Sequence, residues 1–115
     1  MKHNFRKLDI WINSMTLVKE VYTLLSKVPA DERFGLKSQI SRSSISIPSN
    51  IAEGSGRTTI KDFSHFLSIS LGSAYELETQ LLLLQELFEI NTELTVEKCQ
   101  NLQRMISGFK QKINQ

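Results

Sequence analysis

The sequence is poor in residues that cross-link or punctuate a chain. One cysteine among 115 residues excludes an internal disulfide framework and a cysteine-rich zinc site. Five glycines and two prolines are too few for the dense turns of an all-β sandwich. No apolar run approaches the roughly 20 residues that span a bilayer. The opening MKHNFRKLDIW lacks the apolar core and small-residue cleavage site of a signal peptide, so the cytoplasm is the expected location. Neither sign of charge is in large excess: the net is +2, which does not by itself announce a nucleic-acid binder.

Chemistry-bearing constellations are equally scarce. Asp62 and His65 have D-x-x-H spacing, but a di-metal bundle needs two such motifs and more carboxylates. The other histidine, His3, falls outside the predicted helices. No metal and no cofactor is expected. Cys99 falls in a core row and reads as an inert buried thiol. Serines are plentiful, yet none is paired with a base and an orienting acid, so the chain is expected not to be an enzyme.

What the sequence does contain is helical periodicity. Apolar residues make up 40% of a chain long enough for one domain, residues 1–115, with a real core. Breaks at P-A-D-E-R (29–33), G-S-G-R-T (54–58) and E-I-N-T-E (89–93) separate four helical segments, about 8–28, 35–53, 60–88 and 95–113. In the first, Leu8, Trp11, Met15, Val18, Tyr22 and Leu25 form a heptad seam, with a second stripe of Ile10, Leu17, Val21, Leu24 and Val28 beside it. The second carries Leu36, Ile40, Ser44, Ile47 and Ile51 inward, and its small serines permit close helix approach. Pro48 lies inside this pattern and predicts a kink or break there.

Phe63, Phe66 or Leu67, Ser70, Ala74, Leu77, Leu81, Leu84 and Phe88 trace the third seam. Cys99, Leu102, Ile106, Phe109 and Ile113 trace the fourth. Asp9, Thr59 and Thr95 are candidate N-caps, and Gly54 a candidate C-cap. Short connections between four helices predict an all-α, antiparallel up-down-up-down bundle.

Leu81, Leu82, Leu83 and Leu84 are consecutive and point in four directions at 100° per residue. A helix apolar all round is either buried all round or lies in an interface. Leu82, Leu83, Leu87 and Phe88 are therefore expected to meet another protomer, the alternative being a thicker core covered by loops.

Charge is unevenly distributed. Residues 1–61 carry net +5, residues 62–97 net −7 and residues 98–115 net +4. Either these are separate basic and acidic surfaces, or they are solvated helix faces. Arg33, Lys37, Arg42, Arg57 and Lys61 cluster in sequence and are candidate phosphate contacts. The alternative is that Arg33 and Arg42 pair with Glu32, Glu53 or acids of the third segment. Lys2, Arg6 and Lys7 form a basic N-terminal arm, and Lys98, Arg104, Lys110 and Lys112 a second basic set. No aromatic residues interleave with these cations, so binding would follow backbone charge or shape. The turn Gly54-Ser55-Gly56-Arg57 could cradle an anion at a helix start. A structural role for Trp11, Pro48, Asn50, Glu53 and Gly54 is the competing expectation, with Asn50 or Glu53 answering the backbone freed by Pro48.

The stretches V-P-A-D-E-R-F-G-L-K-S-Q-I-S-R-S-S-I-S-I-P-S-N-I-A-E-G-S-G-R (28–57) and F-S-H-F-L-S-I-S-L-G-S-A-Y-E-L-E-T-Q-L (63–81), with Leu8 and Trp11, resemble a known bacterial family. It is the four-helix-bundle family of the 23S ribosomal RNA intervening-sequence protein, to which the accessory protein of diversity-generating retroelements is related. The resemblance covers residues 5–113. It implies a bundle assembled into a ring-like homopentamer. It also implies a scaffold role with RNA or DNA as partner, and a nucleic-acid-processing protein such as a reverse transcriptase as a further partner. A protein-interaction scaffold without nucleic-acid contact is the alternative. No membrane role follows from either.

Overall fold

A computed structural model of the chain describes residues 3–32 and 35–115. It contains four helices: α1 (Asp9–Leu25), α2 (Leu36–Ser55), α3 (Ile60–Phe88) and α4 (Glu93–Ile113). Short 3-10 turns precede α1 (Phe5–Lys7) and α2 (Ala30–Glu32), and there is no strand among the described residues. The first helix packs on α2 and α4, and α3 packs on α2 and α4, while the backbones of the diagonal pairs make no close approach among the described residues. The result is the cyclic square of an antiparallel four-helix bundle. Its long dimension of 45 Å is set by α3, whose 29 residues span about 43 Å at about 1.5 Å per residue.

The core follows the predicted seams of the last three helices. Ile40, Ile47 and Ile51 of α2, Leu67, Leu77, Leu81 and Leu84 of α3, and Leu102 and Ile106 of α4 are almost wholly buried. Each contributes about 1.5–3 kcal/mol by leaving water. On α1 the two stripes exchange roles. Ile10, Leu17, Val21, Leu24 and Val28 are buried, whereas Trp11, Met15 and Val18 are only half-buried and Tyr22 is exposed. A seam wide enough to touch two neighbours has two candidate centres, and α1 turns its second stripe toward the bundle axis.

The α2–α3 seam is lined by small and hydroxylated side chains. The Ser70 hydroxyl donates to the Ile47 carbonyl at 2.9 Å, Ser46 and Ser73 hydroxyls meet at 2.8 Å, and Ser43 donates to Gln80 Oε1 at 2.6 Å. Gly54 lies in this seam. A Cβ there would stand 2.7 Å from Phe66 Cβ and 2.9 Å from Phe63 Cδ1. Gly54 is therefore a packing glycine inside the last turn. The C-cap position belongs to Gly56, two residues later than expected.

Pro48 does not break α2, which runs through it from Leu36 to Ser55. Asn50 donates to the Ser46 carbonyl at 2.8 Å and Ser46 Oγ at 2.9 Å, and Glu53 binds Arg57. Neither answers the Ser44 carbonyl, which loses its helical donor at Pro48.

The caps divide in the same way. Thr59 Oγ1 accepts from the Asp62 N–H at 3.1 Å, the expected N-cap of α3. Leu8, not Asp9, holds the N-cap position of α1, without a side-chain bond. The fourth helix starts two residues before Thr95, where Asn91 Oδ1 accepts from the Glu93 N–H at 3.0 Å. Glu89 ends α3 in the left-handed region, φ 55°.

Candidate nucleic-acid interface at one end of the bundle

Up-down topology puts the start of α1, the end of α2, the start of α3 and the end of α4 at the same end. Specific contacts tie these four termini together. The His3 N–H donates to the Ser55 carbonyl at 3.1 Å. The His3 ring lies 5.1 Å from Phe63 and 6.1 Å from Phe109, which are 5.6 Å from each other. Asn114 Nδ2 donates to Ser64 Oγ at 3.0 Å. His3 is thus part of the plug that closes the bundle, contrary to the expectation that it lies outside.

Around this plug stand Arg6 and Lys7 before α1, Arg57 in the α2–α3 turn, Lys61 in the first turn of α3, and Lys110 and Lys112 in the last turn of α4. All are exposed except Lys110, which is half-buried. Asp9, Glu53 and Asp62 are the acids near the same termini. Among the described residues ion pairs join only Arg57 to Glu53, at 2.8 Å, and Lys98 to Glu20. Arg6, Lys7, Lys61, Lys110 and Lys112 are therefore cations without an ionic partner there. The opposite end carries Glu86 and Glu89 at the close of α3, and Glu93 and Glu97 at the opening of α4, all exposed. Lys27 after α1 and Lys37 in the first turn of α2 stand at that end too, where these four acids outnumber them.

The five cations grouped by sequence do not form one surface. Lys37 is in the first turn of α2 and Arg57 just beyond its far end. Twenty residues of helix separate them by about 30 Å. Arg42 lies between, in a slot of about 530 Å³ beside Gln39, Glu76 and Gln80, and makes no ion pair among the described residues. Arg33 and Lys2 lie outside the described residues. Of the expected set, only Arg57 and Lys61 fall at the basic end. Arg6, Lys7, Lys110 and Lys112 join them from parts of the chain more than 40 residues away.

Aromatic rings stand beside two of these cations, against the expectation that none interleaves with them. The Arg57 guanidinium lies 4.7 Å from the Phe66 ring centroid, and His65 stands 5.7 Å from Phe66. Arg6 lies 4.7 Å over Phe5, whose ring is 5.2 Å from Trp11. The turn considered as an anion cradle is already engaged. Ser55 Oγ donates to the Ala52 carbonyl at 2.7 Å, the Arg57 N–H to the Gly54 carbonyl at 3.0 Å, and the Arg57 side chain to Glu53.

The expected interface residues are divided as well. Leu82, Leu83 and Leu87 are exposed, but Leu82 lines the α3–α4 groove with Val96 while Leu83 points about 100° away. Phe88 is half-buried and packs on the core. Asp62 and His65 are exposed, and no group of three metal-ligating side chains converges among the described residues. Cys99 Sγ donates to the Ala74 carbonyl at 3.2 Å, and burial pushes its pKa up to about 12. No helix is long and apolar enough to cross a membrane among the described residues.

Comparison with protein families matches residues 6–108 to the model described as 23S rRNA-intervening sequence protein. No curated protein matches the chain.

Proposed function

The chain belongs to the 23S rRNA-intervening sequence protein family, and from that premise we propose that it is a non-catalytic, homo-oligomeric scaffold that binds nucleic-acid backbone through its basic end. The observation that carries this reading is the group Arg6, Lys7, Lys61, Lys110 and Lys112, gathered at one end without ionic partners. Exposed cations bind phosphates without reading bases, and the binding releases counterions. One protomer carries net +2, so affinity comes from local concentration of charge and from repetition. A ring of parallel bundles, five in the homopentamer the resemblance implies, would place every basic end on one face and every acidic end on the other. The exposed Leu82, Leu83 and Leu87 support self-association. A bend of α2 at Pro48 and a cytoplasmic location belong to the same proposal.

The test is binding of the purified protein to labelled structured RNA and duplex DNA over a salt series. The expected result is log affinity falling linearly with log salt, by about 0.9 per duplex phosphate engaged. Absence of binding at low salt overturns the reading. In that event the acidic end, Glu86, Glu89, Glu93 and Glu97, favours the second reading: a scaffold that recruits a basic protein.

A further inference from the structure

Between α2 and α3, on the side of the bundle, lies an open slot of about 530 Å³ whose lining side chains are all polar. Ser43 and Ser46 of α2 and Ser73 and Gln80 of α3, buried or half-buried, form its floor. Gln39 and Arg42 stand exposed on one rim and Glu76 on the other. On α2 the lining runs from residue 39 to residue 46, about 10 Å along the axis. On α3, residues 73, 76 and 80 share one helix face.

The floor holds hydrogen-bond donors that the fold leaves unspent. Gln80 is 7% exposed and adjoins the core residue Leu81. Its Oε1 accepts from Ser43 at 2.6 Å, while its Nε2 donates to no group among the described residues. A side-chain amide held that deep normally has partners at both ends. Ser46 Oγ accepts from Asn50 and lies 2.8 Å from Ser73 Oγ. One proton lies between those two oxygens, so the second hydroxyl proton is left to donate elsewhere. Arg42 adds a guanidinium and Glu76 a carboxylate, neither in an ion pair among the described residues. The slot thus presents donors on its floor and α2 rim, an acceptor on its α3 rim, and no net charge.

We propose that this slot binds a free α-amino acid with a polar side chain. The ligand carboxylate faces Arg42 and Gln80 Nε2, and the ligand ammonium faces Glu76. Charge selects this class. A phosphate ester or a nucleic-acid backbone would bring negative charge against Glu76, and a polyamine would bring positive charge against Arg42. A dipolar molecule without net charge satisfies both. The lining offers hydroxyls and amides to a polar side chain and no apolar wall to a hydrophobic one. The site is separate from the basic end and does not depend on nucleic-acid binding there.

The test follows backbone amide shifts by NMR as L-serine, L-asparagine and L-glutamine are each titrated into the isotope-labelled parent. The expected result is saturable shifts for at least one of the three, centred on Ser43, Ser46, Ser73 and Gln80. Two blocked forms of that amino acid follow: the N-acetyl form, which lacks the ammonium, and the primary amide, which lacks the carboxylate. Each should bind the parent about tenfold more weakly, as expected for loss of a hydrogen bond to a charged group. In Glu76→Gln the N-acetyl form should bind as well as the free amino acid, and in Arg42→Gln the primary amide should. Both substituted positions are exposed, and helix content checks that the variants fold. Three results would overturn the proposal: no saturable shift with any of the three, shifts centred elsewhere, or blocked forms that bind the parent as tightly as the free amino acid. Discrimination against the blocked forms that survives both substitutions would overturn it as well.

Discussion

At one end of the bundle, five unpaired cations surround a plug of His3, Phe63 and Phe109. At the other, Glu86, Glu89, Glu93 and Glu97 stand at the turn between α3 and α4, close to the exposed Leu87 and Leu94. Both ends close the same four-helix core, and they close it differently. The basic end joins distant parts of the chain through a packing glycine and an aromatic cluster, with a local threonine cap at the start of α3. The acidic end is closed mainly by the turn between α3 and α4, whose Phe88 and Ile90 pack on the core. Thr92 Oγ1 donates to the Leu81 carbonyl at 3.0 Å, and Glu89 adopts a left-handed conformation that costs a residue with a side chain about 1–2 kcal/mol. Contacts between distant segments fix the backbone that carries Arg6, Lys61 and Lys112, while these side chains remain exposed.

Three changes bear on this contrast, from the largest expected effect down. Gly54→Ala drives a methyl into Phe66 Cβ and Phe63. It should destabilise the protein by about 1–3 kcal/mol, as overpacking does. Denaturant unfolding checks the size, and amide exchange should show the loss of protection starting at the basic end. Thr59→Ala removes the α3 cap at that end and should cost about 1 kcal/mol. At the acidic end the sign reverses. Glu89→Gly relieves the left-handed residue and should stabilise by about 0.5–1 kcal/mol in thermal melts.

A further change, whose pH dependence is silent near neutral pH, concerns the core that both ends share. The folded Cys99 thiol titrates near 12 against an ordinary value of 9.0, because burial disfavours the thiolate. The folded state therefore keeps a proton that the unfolded chain releases. Stability from this group is complete below pH 9 and declines as pH rises from 9 toward 12. Cys99→Ala should flatten that part of the pH–stability profile without distinguishing the two ends.

Much of this architecture is legible in the sequence. Leucine and isoleucine spacing marks four helices, and the short breaks between them fix antiparallel neighbours. Which α1 stripe faces inward is not legible, because Trp11–Met15–Val18 and Leu17–Val21–Leu24 have equal periodicity. Closeness in sequence misleads for the cations. Along a helix it is axial distance, so Lys37 and Arg57 are far apart while Arg6, Lys61 and Lys112 share one end. A signal for that end was present: once the helices alternate in direction, positions near 8, 55, 60 and 113 must be neighbours. The role of Gly54 depends on where α3 places Phe66, which no local pattern reveals.

The central claim is that the basic end, not the cations elsewhere on the bundle, binds nucleic acid. The most direct measurement compares two variants with the parent in salt-dependent binding to one labelled RNA. One replaces Arg6, Lys7, Lys61 and Lys112 with Gln; the other replaces Lys27, Lys37, Lys98 and Arg104, all away from the basic end, with Gln. Each removes four positive charges, so the net charge is matched. If each removed cation at the end contacts a phosphate, the first variant's log–log salt slope falls by about 3 on single-stranded RNA, at about 0.7 per contact. The second variant should keep the parent's slope. Equal losses in the two variants, or a loss confined to the second, would contradict the account.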